Sequence, residues 1–216
     1  AVCLGSQGLT PYIPSVAKNV SITNSYFDGR TYMTRQAISV LSADNLTIDR
    51  NYFTRTTAGT IGTGMPGAVI IEPELVTAYV RNITVSNNGF YSIGSSSNKP
   101  PFKIDLGNLD ATFPDRKGRI SFVNNTVELA GGISSSTPAT GMAPQAQLLV
   151  IDGNYFIDTL TANLFIPVNG LRITNNIFHH TYPIVLGYDT NFAKDVRIIG
   201  NSFISSGIEG AVLAIH

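Results

Sequence analysis

The stretch Leu149-Val-Ile-Asp-Gly-Asn-Tyr-Phe156 recurs, with variation, seven times along the chain. The other copies are Val20-Ser-Ile-Thr-Asn-Ser-Tyr-Phe27, Leu46-Thr-Ile-Asp-Arg-Asn-Tyr-Phe53, Ile83-Thr-Val-Ser-Asn-Asn-Gly-Phe90, Ile120-Ser-Phe-Val-Asn-Asn-Thr-Val127, Leu171-Arg-Ile-Thr-Asn-Asn-Ile-Phe178 and Val196-Arg-Ile-Ile-Gly-Asn-Ser-Phe203. Position one is always Val, Leu or Ile, and position three is always apolar. Position six is Asn in six copies, with Ser25 the exception, and position eight is Phe in six, with Val127 the exception. Internal repetition at this period is the signature of a stacked solenoid.

The spacing has a direct reading. Side chains alternate along a strand, so positions one and three face one side while position two, mostly Ser, Thr or Arg, faces water. Positions five and six are rich in Asn and Gly, which tolerate left-handed backbone, so a sharp bend is expected there. The Phe two residues later turns inward from a second strand. A third strand follows most copies, at Ala37–Val40, Ala68–Glu72, Phe102–Leu106, Leu164–Ile166, Pro183–Leu186 and Ala211–Ile215. Repeat starts are 26, 37, 37, 29, 22 and 25 residues apart. The shortest interval leaves no room for a helix between strands, and no capped helical periodicity appears. Three strands per turn describe an all-β parallel β-helix of about seven coils, about 35 Å long at a strand spacing of about 4.8 Å.

The pattern V-x-I-x-x-N-x-F resembles the coil repeat of right-handed, single-stranded parallel β-helices of the pectin-lyase-like superfamily. The resemblance covers nearly the whole chain. It implies an Asn ladder at the tight bend and aromatic stacks inside. The catalytic motifs of pectate lyases, polygalacturonases and mannuronan epimerases have no close match here, so the resemblance carries no catalytic residue with it.

Composition narrows the rest. Lys plus Arg and Asp plus Glu number 14 each in 216 residues, and charged residues are only 13%. A polyanion-binding footprint needs a basic excess, so nucleic acid is not an expected partner. Apolar runs stop at four or five residues, far short of a bilayer span. One cysteine, Cys3, excludes intramolecular disulfides and cysteine-based zinc sites. The terminal stretches Ala1–Gly5 and Val212–His216 read as strands without a capping helix or charged cover, although solenoids need polar caps. Residues 1–216 are therefore expected to be one β-helix domain, cut from a longer chain. No signal peptide is visible, and an extracellular or virion-surface location follows only from the fold's usual settings.

Function is sought where loops are long. Segments 54–67, 91–101, 107–118 and 128–147 cluster in the first half and are expected to wall a groove across the third-strand sheet, a shape suited to a polysaccharide. Aligning Val69 with Phe102 and Ile71 with Ile104 brings Glu72 and Asp105 to the same outward position of adjacent coils. Two carboxylates about 4.8 Å apart cannot both ionise easily, which is what acid/base hydrolysis of a glycoside requires. Lys103 projects from the same face to assist. Arg116, Lys117 and Arg119, in the charge cluster after Asp105, are the expected contacts to an acidic sugar. No cofactor is implied; a calcium ion at an acidic site is the one metal reading. His179-His180 makes a poor chelate, because adjacent residues point apart.

Tyr26, Tyr52 and Tyr155, at position seven, suit an outer aromatic ladder. The four N-x-Ser/Thr sequons at Asn19, Asn45, Asn82 and Asn124 arise from the repeat itself. Apolar residues at outward third-strand positions (Ile70, Phe165, Val185, Leu213) point to cover by a neighbouring chain, as in a homotrimer resembling phage tailspikes, or by missing parts of the same protein. Two functions follow: a carbohydrate-active module that cleaves a polysaccharide by hydrolysis or by uronate β-elimination, or a non-catalytic structural or adhesive shaft.

Overall fold

The repeat closes into three parallel sheets that the chain visits in fixed rotation. The computed structural model describes residues 2–5, 15–29, 36–54, 67–93, 100–106, 109, 112–135, 147–159, 163–164, 168–181, 184–186, 193–204 and 213–215. Repeat positions one to four build a seven-stranded sheet, here the second: Ala17–Thr23, Ala43–Asp49, Val80–Ser86, Arg119–Val123, Leu148–Asp152, Asn169–Thr174 and Lys194–Ile199. Positions seven to nine build the third sheet: Tyr26–Asp28, Tyr52–Thr54, Gly89–Tyr91, Thr126–Glu128, Tyr155–Ile157, Ile177–His179 and Ser202–Ile204. The first sheet has eight strands: Val2–Leu4, Ile38–Val40, Val69–Ile71, Phe102–Ile104, Ser134–Ser135, Asn163–Leu164, Ile184–Leu186 and Leu213–Ile215. Each strand pairs in parallel with its counterpart one coil away, and sequence-equivalent residues sit opposite one another. The chain is a parallel β-helix. Strand Ser134–Ser135 was not expected from the sequence: two serines carry no apolar alternation, and only the pairings Lys103↔Ser134, Ile104↔Ser135 and Ser134↔Asn163 reveal it.

The bend is sharper than the sequence reading. Only position five is left-handed: Asn24, Arg50, Asn87, Asn124, Gly153, Asn175 and Gly200 have φ between 51° and 69°. The conformation costs most residues about 1–2 kcal/mol, which explains the preference for Asn and Gly. At Gly153 a Cβ would also lie 2.4 Å from Asn124 Oδ1, so the glycine makes room for its neighbour's amide.

Position six is freed for another task. Asn51, Asn88, Asn125, Asn154 and Asn176 are buried and join Asn201 in a continuous amide ladder. The separations along the chain, 37, 37, 29, 22 and 25 residues, are the coil lengths themselves. Asn125 shows how complete each rung is. Its Nδ2 donates to Val85 O at 2.9 Å and to Asn154 Oδ1 at 3.1 Å, while its Oδ1 accepts from Asn88 N at 2.9 Å and Asn88 Nδ2 at 3.0 Å. Both donors and both lone pairs are used, so a buried amide costs nothing in lost hydration. Ser25 ends the row: it has no amide, and its N–H donates to Asn51 Oδ1 at 3.0 Å.

The core is a column of stacked rings and aliphatic rows. Phe27, Phe53 and Phe90 stack with centroids 4.8 Å apart, and Phe156, Phe178 and Phe203 stack at 5.0 and 4.9 Å. Val127 interrupts the column in the fourth coil. Phe122, which replaces the usual Ile or Val at position three of that same coil, reaches both halves, at 5.8 Å from Phe90 and 6.4 Å from Phe156. Large and small side chains have exchanged positions within one coil, which conserves core volume.

Candidate functional site

The outer face of the first sheet holds the predicted acids. The register Phe102↔Val69, Lys103↔Ile70, Ile104↔Ile71 is the one the sequence implied. Hydrogen bonding continues one residue further, with Glu72 N donating to Val40 O at 2.9 Å and Asp105 N donating to Ile71 O at 2.7 Å. Glu72 and Asp105 thus follow equivalent strands on adjacent coils, each half-buried. Lys103 is also half-buried and belongs to the outward row Cys3, Ser39, Ile70, Lys103, Ser134.

Glu72 is oriented rather than loose. Its Oε1 accepts hydrogen bonds from Gln36 Nε2 at 2.6 Å and from the Ser39 hydroxyl. It opens onto a cleft of about 230 Å³ bordered by Cys3, Gln36, Ser39, Leu41 and Glu74. Sequence reasoning missed Gln36, Ser39 and Glu74. Two signals were available: Glu72-Pro-Glu74 sets two acids two residues apart, and the repeat register aligns Ser39 with Ile70. The cleft lies toward the preceding coil, so its second carboxylate is Glu74, while Asp105 stands on the following coil. Among the described residues no three His, Cys, Asp or Glu side chains converge as a metal site. Most of the expected groove walls, 55–66, 94–99 and 136–146, lie outside the described residues.

The basic cluster divides between two tasks. Arg116 ends a short 3-10 turn, Pro114–Arg116, and its guanidinium lies 4.5 Å from the Phe113 ring centroid and 5.3 Å from that of Tyr79, with Nη1 donating to Thr77 O at 2.7 Å. Lys117 is buried, its Nζ donating to Phe113 O at 3.0 Å. Arg116 pins residues 112–118 against the segment 77–81, helped by Gly118 N donating to Val80 O at 3.1 Å, while the Lys117 bond closes within the loop. Arg81 completes the clasp, donating to Asp115 O and to the Asp44 carboxylate at 2.7 Å. That guanidinium holds the Asp44 carboxyl below its ordinary value. Arg119 alone of the three is exposed, and it opens a strand of the second sheet, away from the face that carries Glu72.

Other candidates resolve as follows. Ile70 is 1% exposed, so it needs no neighbouring chain to shield it. Val185 is half-buried; Phe165 and the Leu213 side chain lie outside the described residues. Tyr26 and Tyr52 stack at 5.2 Å, and the third ring is Tyr91 at 4.8 Å, not a position-seven residue. Gly89 permits this, because a Cβ there would lie 2.5 Å from Tyr91 Cε2. Tyr52, the middle ring, spends both faces on its neighbours, which leaves it only its edges for a ligand. Burial, then the neighbouring Tyr26, Tyr91 and Glu128, pushes the Tyr52 hydroxyl up from its ordinary value. His179 and His180 stack at 4.0 Å, and His180 Nδ1 meets Asp158 Oδ1 at 3.2 Å. The sequon residues Asn19, Asn45, Asn82 and Asn124 are exposed and left-handed, with φ from 54° to 64°, so backbone geometry accounts for asparagine at each. No family model matches this chain, and neither the curated proteins nor the solved structures include a match.

Proposed function

We propose that the chain is a carbohydrate-active β-helix module that lays a polysaccharide across the outer face of the first sheet and hydrolyses it with Glu72 and Asp105. The observation that supports this reading is a Glu72 carboxylate held by Gln36 and Ser39 at the edge of a cleft, with Asp105 following the equivalent strand one coil on. A rigid, hydrogen-bonded carboxylate suits a group that must meet a scissile bond in one geometry. Adjacent coils are about 4.8 Å apart, which favours the short carboxyl separation of about 5–5.5 Å used in retention of anomeric configuration. Lys103, on the strand that leads to Asp105, would stabilise developing negative charge or orient a sugar carboxylate. The repeat's resemblance to pectin-lyase-like β-helices is consistent with a polymeric sugar substrate.

The test is turnover on a panel of neutral and acidic polysaccharides, with Glu72→Gln and Asp105→Asn as variants and Glu74→Gln as control. Loss of general acid/base assistance lowers kcat by about 10²–10⁴-fold for the first two and leaves the control near wild type. Polysaccharide binding without turnover in the wild type would favour the adhesive or structural shaft. Unchanged turnover in both variants would remove the assignment of these acids.

A further inference from the structure

A second cleft, of about 370 Å³, lies on the outer face of the second sheet, bordered by Asn45, Asn82, Thr84, Arg119, Ser121 and Val123. Its volume is at the lower end of the range for small-molecule sites. The repeat builds it: Thr84 and Ser121 are position-two residues paired across adjacent coils, and Val123 follows Ser121 on the same face. Asn45 and Asn82 stand on left-handed residues at the margin, with φ of 64° and 55°.

The polar groups are directed by the protein but not consumed by it. Arg119 Nε donates to Ser121 Oγ at 2.8 Å, which fixes the guanidinium along the cleft. Asn45 Nδ2 donates to Asn19 Oδ1 at 2.8 Å, and Asn82 Nδ2 donates to Asp44 Oδ1 at 3.4 Å. Each of these side chains therefore commits one end only. Among the described residues, no further protein partner is seen for the Arg119 Nη atoms, the two amide oxygens or the Thr84 hydroxyl. The cleft thus offers one cationic fork, two acceptors, one hydroxyl and one small apolar surface at Val123.

We propose that this cleft binds a sugar residue that carries an oxyanion, either a carboxylate or a sulfate ester. The guanidinium fork takes the oxyanion in a bidentate charge-assisted pair. The Asn45 and Asn82 oxygens accept from sugar hydroxyls, and Val123 contacts the C–H face of the ring. A nucleic acid is a poor fit, because a single cation among the described residues that border this cleft, in a chain of zero net charge, does not make a polyanion track. A purely apolar ligand is excluded by the lining. The site is on a different sheet from Glu72 and is independent of any catalysis there.

The experiment is NMR titration of the full chain with three tetrasaccharides of equal length: one of hexuronic acid, one neutral, and the neutral one sulfated. Perturbation of Thr84, Ser121 and the Arg119 side chain by an acidic tetramer supports the proposal, and the tighter of the two acidic arms identifies the oxyanion. Arg119→Gln should weaken binding about tenfold or more, and Arg119→Lys less. The exposed position of Arg119 makes these variants compatible with folding, checked by an unchanged melting temperature. Equal binding of the neutral tetramer, equal binding of inorganic sulfate, shifts confined to the first sheet, or unchanged affinity in Arg119→Gln would each overturn it.

Discussion

Replacing Asn125 by Ala removes one rung from the middle of the amide ladder, and the structure sets the size of the effect. Four hydrogen bonds are lost, but they do not count equally. Asn88 Nδ2 keeps its bond to Ile48 O at 2.9 Å, and Asn154 Oδ1 keeps the bond from the residue 125 N–H at 2.8 Å. One main-chain group is left with nothing, the Asn88 N–H, while the Val85 C=O, inside the interior strand Val80–Ser86, loses one donor. A buried, unsatisfied group costs about 1–3 kcal/mol, so the substitution should destabilise by about 1–3 kcal/mol. The same change at Asn201 is the reference. That residue is only half-buried, so water replaces much of what is lost, and about 1 kcal/mol or less is expected. Urea unfolding followed by far-UV circular dichroism measures both, with the slope of the transition checked for loss of cooperativity. If Asn125→Ala and Asn201→Ala cost the same, the ladder is a consequence of packing and contributes little of its own.

Val127→Phe should overpack the fourth coil and destabilise by about 1–3 kcal/mol, whereas adding Phe122→Val to it should recover much of the loss; additive penalties in a double-mutant cycle would refute the exchange of volume between these positions. Asp49 accepts from Asn87 Nδ2 at 2.7 Å and Ser86 Oγ at 2.8 Å, and these bonds, Asn87 foremost, hold its carboxyl below the ordinary 3.8 despite opposition from burial. A depressed native value stabilises above the unfolded value and is lost as pH falls through the native one, so the melting-temperature gap between wild type and Asp49→Ala should be full at neutral pH and shrink below about pH 4. Arg116→Ala should cost about 1–2 kcal/mol through its two ring contacts and raise the rate of proteolysis within 112–118; unchanged cleavage would show that the clasp does not depend on it.

The fold was legible because its determinants are repeated side chains at fixed offsets. Positions one, three and eight reported burial directly, and coil lengths predicted which asparagines would meet. Two details were not legible. The bend reads as Asn-Asn or Gly-Asn, but composition does not tell which residue takes the left-handed backbone and which one the ladder. The short strand Ser134–Ser135 is imposed by its neighbours, not by its own apolar pattern. The acids were found through register, since Glu72 and Asp105 extend an alignment fixed by Val69 and Phe102. Gln36 and Ser39 were missed because their role depends on side-chain reach between coils, which no periodicity encodes. Arg116 and Lys117 look like any solvated charge run in sequence; their contacts with Phe113, Thr77 and Tyr79 come from how the loop returns over the preceding coil.

The amide ladder also has a meaning for how such a chain can change length. Every rung presents the same acceptor to one side and the same donor to the other, whatever the size of the loops between rungs. Excising residues 171–195 would join Gly170 to Val196 and set Asn154 against Asn201, Phe156 against Phe203 and Ile151 against Ile198, all pairs of the type already present. A whole coil is thus an interchangeable unit, removable or duplicable without redesign of its neighbours, while a loss of even one residue inside the eight-residue motif would shift Asn and Phe out of their columns. Changes of length are thereby steered into the loops and away from the motif that holds the stack together.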